Sequence, residues 1–128
     1  MAKRVFISFD YDHDASLKEL LVGQARHPGT PFSIADWSVK EHIYGNWKAH
    51  ARDKIGRVDV VAVICGEHTH MATGVAEEVR IAQQELKPYF LLWGYSDRHC
   101  MKPSTARPDD KMYKWTWDNV KALIDGAR

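Results

Sequence analysis

The stretch Asp59–Cys65, DVVAVIC, is apolar at every position after its aspartate. A strand with one wet face alternates polar and apolar side chains, so an unbroken run of this kind belongs to a sheet covered on both faces, the habit of parallel strands. Tyr89–Trp93 (YFLLW) has the same character, and Arg4–Phe9 (RVFISF) and Phe32–Trp37 (FSIADW) are weaker versions of it. Parallel neighbours need crossover connections, and helical patterns fill the intervals. Asp14–Arg26 carries apolar residues at Ala15, Leu17, Leu20, Leu21 and Ala25 before His27-Pro28-Gly29 ends it; Asn46–Gly56 opens on an Asn suited to capping; Thr73–Leu86 is stopped by Lys87-Pro88; Trp117–Gly126 is the fourth. The expected fold class is α/β, a flavodoxin-like three-layer α/β/α arrangement with a parallel sheet of order 2-1-3-4. The polar segment Ser96–Lys114 reads as a long loop with room for a short fifth edge strand.

The 128 residues suit a single domain spanning 1–128. With 18 basic and 17 acidic residues, a net charge of +1, there is no electrostatic footprint for nucleic acid or an anionic membrane. Cys65 and Cys100 make neither a disulfide framework nor a metal-ligand spacing. The first residues, MAKRVFISFDYD, lack the apolar core of a signal peptide, and no run approaches the ~20 apolar residues of a membrane span. The expected compartment is the cytoplasm.

In an open α/β sheet ligands bind beyond the carboxyl ends of the strands, where strand order reverses, which for order 2-1-3 lies between the first and third strands. This singles out Asp10–Asp14 (DYDHD) and Gly66–Ala72 (GEHTHMA), with Ser38–Gly45 (SVKEHIYG) leaving the same edge. The second of these leads into a helix with an acid near its apolar stripe. At about 100° per residue, Val75, Val79, Ala82 and Leu86 cluster within about 40° of one line, Glu78 sits about 60° from it, and Glu77 points away. Glu78 is therefore a candidate for chemistry and Glu77 an ordinary solvated acid. Asp10 and Asp12 read either as substrate contacts or, with Asp14, as caps of the first helix. His68 and His70 form an H-x-H without a second ligand cluster, so no metal is expected. Trp115 and Trp117 read as packing rather than base stacking. The third strand ends Ile64-Cys65-Gly66, without the aspartate a phosphoacceptor receiver needs. Neither a G-x-G-x-x-G fingerprint nor a P-loop follows a strand, and the acidic DYDHD loop is unsuited to cradle the phosphate of a flavin.

Taken together, RVFISFDYDHD, FSIADWSV and CGEHTHMATGVAEEVRIA resemble the TIR-like family of bacterial and archaeal proteins, in particular the Thoeris-type TIR proteins of antiphage defence. The resemblance covers essentially the whole chain. It implies a flavodoxin-like fold and, in the enzymatic members, cleavage of NAD+ at the nicotinamide–ribose bond to give ADP-ribose or a cyclic isomer that activates a partner effector. NAD+ is then a substrate and no cofactor is needed. The family pattern of Val, two residues, Glu and an aliphatic falls on Val75-Ala76-Glu77-Glu78-Val79, which makes Glu78 the implied catalytic residue. Phe9, Asp10, Tyr11 and Asp12 match the family loop that lines the nucleotide pocket and are the implied substrate-binding residues, with Asp36, Ser38 and His68 expected beside them, and Ser38–Gly45 resembles the loop that closes over substrate or mediates assembly. Gly74 departs from the pattern, standing where many relatives have Trp or another bulky residue.

The chemistry suits one carboxylate. Nicotinamide leaves as a neutral molecule from a cationic pyridinium, so no acid has to protonate it, and the carboxylate pair of glycoside hydrolysis is not required. Glu78 has only to hold ribose hydroxyls and stabilise the cation that develops. The expected partners are NAD+, further copies of the chain through TIR-like surfaces, and a downstream effector. The alternative is a non-catalytic TIR-like interaction or nucleotide-sensing module.

Overall fold

All six residues of the central strand, Val60–Cys65, are buried, as their unbroken apolar character requires. In the computed structural model, which describes residues 3–38 and 46–127, the elements run β1 (Lys3–Ser8), α1 (Ala15–Ala25), β2 (Phe32–Trp37), α2 (Trp47–Gly56), β3 (Val60–Cys65), α3 (Thr73–Gln84), β4 (Tyr89–Trp93), β5 (Met112–Lys114) and α4 (Trp117–Asp125). The sheet is five-stranded and parallel throughout, in the order β2-β1-β3-β4-β5. This is the flavodoxin-like order, and β5 is the short edge strand carved from the polar segment after β4.

Alternation along the strands divides the core into two layers. Val5, Ile7, Val60, Ala62, Ile64, Phe90 and Leu92 face Leu17, Leu21 and Val22 of α1 and Val120, Leu123 and Ile124 of α4. Phe6, Val61, Val63, Cys65 and Leu91 face Trp47, Ala51 and Ile55 of α2 and Val75, Val79, Ile81 and Ala82 of α3. β1 therefore presents Phe6, and two residues on Ser8, to the side where α3 lies.

The β1–β2 ladder contains one irregularity with consequences for the site. Val5 pairs with Ile34 but Phe6 pairs with Asp36, leaving Ala35 as an extra residue in β2. Because side chains alternate with period two, a bulge of one residue moves everything beyond it to the opposite face. Ser38 thus follows Ser8 on the α2/α3 side rather than falling on the α1/α4 side.

Helix ends depart from expectation at two caps. Neither Asn46 nor Asp14 gives a side-chain capping bond to its helix. Within DYDHD the side-chain bonding is local instead, the Asp12 amide donating to Asp10 Oδ1 at 3.2 Å in an Asx turn, while Asp14 is buried inward. Thr116 does cap α4, accepting from the Asn119 amide at 3.1 Å. α3 ends in a Schellman turn: Lys87 N–H donates to Ala82 O at 2.8 Å and Leu86 N–H to Gln83 O at 3.3 Å, with Leu86 in the left-handed region at φ 53°. Among the described residues no helix is long and apolar enough to cross a membrane.

Candidate active site at the carboxyl ends of the strands

The loops after β1 and β3 and the first turns of α3 enclose a cleft of about 190 Å³ at the point where strand order reverses. Its lining includes Phe9, Asp10, Tyr11, Asp12, His13, Ser38, His68, Gly74 and Glu78. Glu78 is only 1% exposed, deeper than the helix-edge position its phase suggested. Its Oε1 accepts from Ser8 Oγ at 2.7 Å and from Ser38 Oγ at 2.6 Å, two hydroxyls brought to one face by the alternation of β1 and the bulge at Ala35. Ser38 is itself held by Phe9 N–H, which donates to its Oγ at 3.1 Å, and by its own N–H to Ile7 O at 2.9 Å. A buried carboxylate is tolerated only with such donors, and this one is fixed in place by them.

Glu77 lies on the outer side of α3 in an ion pair with Arg80 at 3.1 Å, although its side chain is less exposed than a solvated acid would be, at 17%. Asp36 stands apart from the cleft lining: its carboxylate faces Lys54 of α2 at 3.6 Å and accepts from Trp37 N–H at 2.9 Å. Of Ser38–Gly45, only Ser38 falls within the described residues. Gly74 lines the cleft and contributes no side chain to its wall.

The opposite wall joins Phe9, Asp10, Tyr11 and His68 to His13, Trp47 and Met71, which no sequence motif singles out. His13 Nδ1–H donates to Asp10 Oδ2 at 2.7 Å, and the His13 and His68 rings pack at 4.2 Å between centroids. The Asp10 carboxylate beside it raises the His13 imidazole above its usual range. Phe9 and Tyr11 stack at 6.2 Å, Phe9 buried and Tyr11 exposed. Trp47 from α2 and Met71 from the β3–α3 loop complete the walls. Ser8 was legible only as a lone hydroxyl inside an apolar strand, and His13 only as an imidazole among acids.

Behind this wall Asp14 is 2% exposed, with Oδ1 accepting from Tyr95 Oη at 3.1 Å and Oδ2 without a hydrogen-bond partner. Burial pushes its carboxyl above the ordinary carboxylate range. The carboxylate packs against the bare backbone of Gly66, where a Cβ would lie 2.4 Å from Oδ2. Cys65 and Cys100 are free and buried, and burial drives the Cys65 thiol up, away from the reactive thiolate. Among the described residues no group of three His, Cys, Asp or Glu side chains is arranged to hold a metal ion.

A parallel 2-1-3-4-5 sheet with a buried carboxylate at its switch point defines a flavodoxin-like α/β domain whose candidate site includes an acid on the helix after the third strand. Within that class, the chain belongs to the family described as Thoeris protein ThsB, TIR-like domain, which it matches over residues 6–97, from β1 to just beyond β4. This membership carries a TIR-type role in antiphage defence. No curated protein matches the chain.

Proposed function

We propose that the chain cleaves NAD+ at the nicotinamide–ribose bond, with Glu78 as the catalytic carboxylate. The observation that carries this reading is Glu78 itself: an acid held at the floor of the switch-point cleft, on the helix where the family pattern expects it. A negative charge fixed by two hydroxyls costs no reorganisation as the ribosyl cation forms, and a site shielded from water strengthens the attraction. The cleft is smaller than the roughly 300–1,000 Å³ of most ligand pockets, which suits one end of a dinucleotide, the nicotinamide riboside, with the rest of the molecule at the open mouth. Phe9, Asp10, Tyr11, Asp12, Ser38 and His68 would contact it; Asp36 is left out of this set because it faces Lys54. NAD+ enters as substrate, without a bound cofactor or metal. The product is ADP-ribose or a cyclic isomer, formed in the cytoplasm, active on a downstream effector and dependent on self-association of the chain.

The same hydroxyl bonds favour a second reading, in which Glu78 is a satisfied structural carboxylate in a non-catalytic interaction module. Nicotinamide release from NAD+ separates the two, measured at high protein concentration and with phage-derived activator, for wild type and Glu78→Gln. Release by wild type, falling by about 10²-fold or more in the variant, is the expected result for removal of a preorganised charge. Equal release by both proteins, or none under any assembly condition, favours the module.

A further inference from the structure

We propose that His13, supported by Asp10, is the general base that takes the proton from the attacking water once nicotinamide has left. The inference rests on the NAD+-cleavage reading and concerns the fate of the ribosyl cation. His13 and Glu78 line the same cleft but are built for different tasks. Glu78 already accepts from two hydroxyls and lies beneath the surface, so it suits charge stabilisation. His13 donates through Nδ1 to Asp10, which fixes the neutral tautomer with its lone pair on Nε2. That nitrogen has no partner among the described residues, and the side chain is 51% exposed, open both to the cleft and to solvent. The His68 ring, packed at 4.2 Å, restrains the imidazole plane.

The bond from ribose C1′ to nicotinamide breaks with its electron pair going to the leaving pyridine. Water oxygen forms the new bond to C1′, and its proton passes to His13 Nε2. The resulting imidazolium is paired with Asp10 and returns the proton to solvent. A ring nitrogen attacking the same carbon, from the substrate's adenine or from an added pyridine, carries no proton that must be removed. His13 therefore acts on water capture and not on capture by nitrogen, which makes it a determinant of product type.

The charged and titratable groups facing His13 are Asp10, Asp12 and Asp14 from its own loop and helix start, and His68 from the β3–α3 loop. Asp10 contributes most to holding the proton on His13. Capture by water should therefore rise with pH as His13 deprotonates, and replacing Asp10 by Asn should move that rise to lower pH.

The test follows NAD+ turnover in the presence of 3-acetylpyridine, with ADP-ribose, cyclic product and exchanged dinucleotide separated chromatographically across pH. Wild type, His13→Gln, Asp10→Asn and a control, His70→Gln, are compared; His70 is exposed and outside the cleft lining. The expected result is a fall of at least about tenfold in the ratio of ADP-ribose to exchanged dinucleotide in His13→Gln, at the lower end of general-base effects, with the control unchanged. The rise of that ratio with pH should be absent in His13→Gln and shifted to lower pH in Asp10→Asn. An unchanged ratio in His13→Gln, an equal loss of every product, or a wild type that forms no ADP-ribose overturns the proposal while leaving NAD+ cleavage standing. No nicotinamide release by wild type overturns both.

Discussion

The hold of Ser8 on Glu78 can be weighed by a double-mutant cycle of Ser8→Ala and Glu78→Met. Ser8 is fully buried and donates to Glu78 Oε1 at 2.7 Å. Replacing it by Ala removes the donor and its oxygen together, so no orphaned hydroxyl remains, and the loss is that of one hydrogen bond to a charged group, about 2 kcal/mol. Glu78→Met keeps an unbranched chain of similar length but strands the Ser8 hydroxyl, while Ser38 retains an alternative acceptor in Ile7 O at 3.4 Å. The double variant removes both partners of the Ser8–Glu78 bond and should recover part of that penalty, giving a coupling of about 1–2 kcal/mol. Urea unfolding of the four proteins measures it, with m unchanged as the condition for reading midpoints as stability. For a chain of this size each kcal/mol corresponds to roughly 3–5 °C in Tm, so Ser8→Ala alone should melt about 6–10 °C lower. Strict additivity of the two substitutions would refute the claim that the serine fixes the carboxylate.

Three further outcomes are expected. Leu86 is 89% exposed and holds a left-handed φ of 53°, so Leu86→Gly should stabilise the Schellman turn by about 1 kcal/mol; a lower urea midpoint would contradict this. A Cβ on Gly94 would lie 2.6 Å from the Cys65 carbonyl oxygen and 2.8 Å from Leu17 Cδ1, and since the first is backbone, Gly94→Ala should cost about 2–3 kcal/mol, seen as a reduced Tm. Asp14 has a folded pKa above its ordinary 3.8, so the stability linked to its proton is complete below pH 3.8 and is lost as pH rises through the folded value. Asp14→Asn escapes that loss, and its stability relative to wild type should grow from pH 3 to pH 7; a difference that does not vary with pH would show that Asp14 is not titrating there.

Sequence alone determined the layers. Continuous apolar runs at Val60–Cys65 and Tyr89–Trp93 can be buried only in a sheet covered on both sides, and the helical intervals between strands leave parallel crossover as the connection. Helical phase also separated Glu78 from Glu77, because the period of a helix is carried by local geometry that every residue shares. What tertiary structure decided is which polar groups meet. The bulge at Ala35 is a property of the pairing between two strands, invisible in either one, and it places Ser38 beside Ser8 under Glu78. Asp36 turned to Lys54 because α2 lies against that face, which no local signal announces. Asp14 and Asn46 have the right chemistry for caps, but Asp14 is drawn under Gly66 and Tyr95 instead, its energy set by burial rather than by its own helix. His13 reads in sequence as one imidazole in an acidic loop; only the approach of the β3–α3 loop sets it against His68 on the wall of a cleft. Periodicity is written along the chain, whereas the encounter of side chains from distant elements depends on register and packing, and the site is made of such encounters.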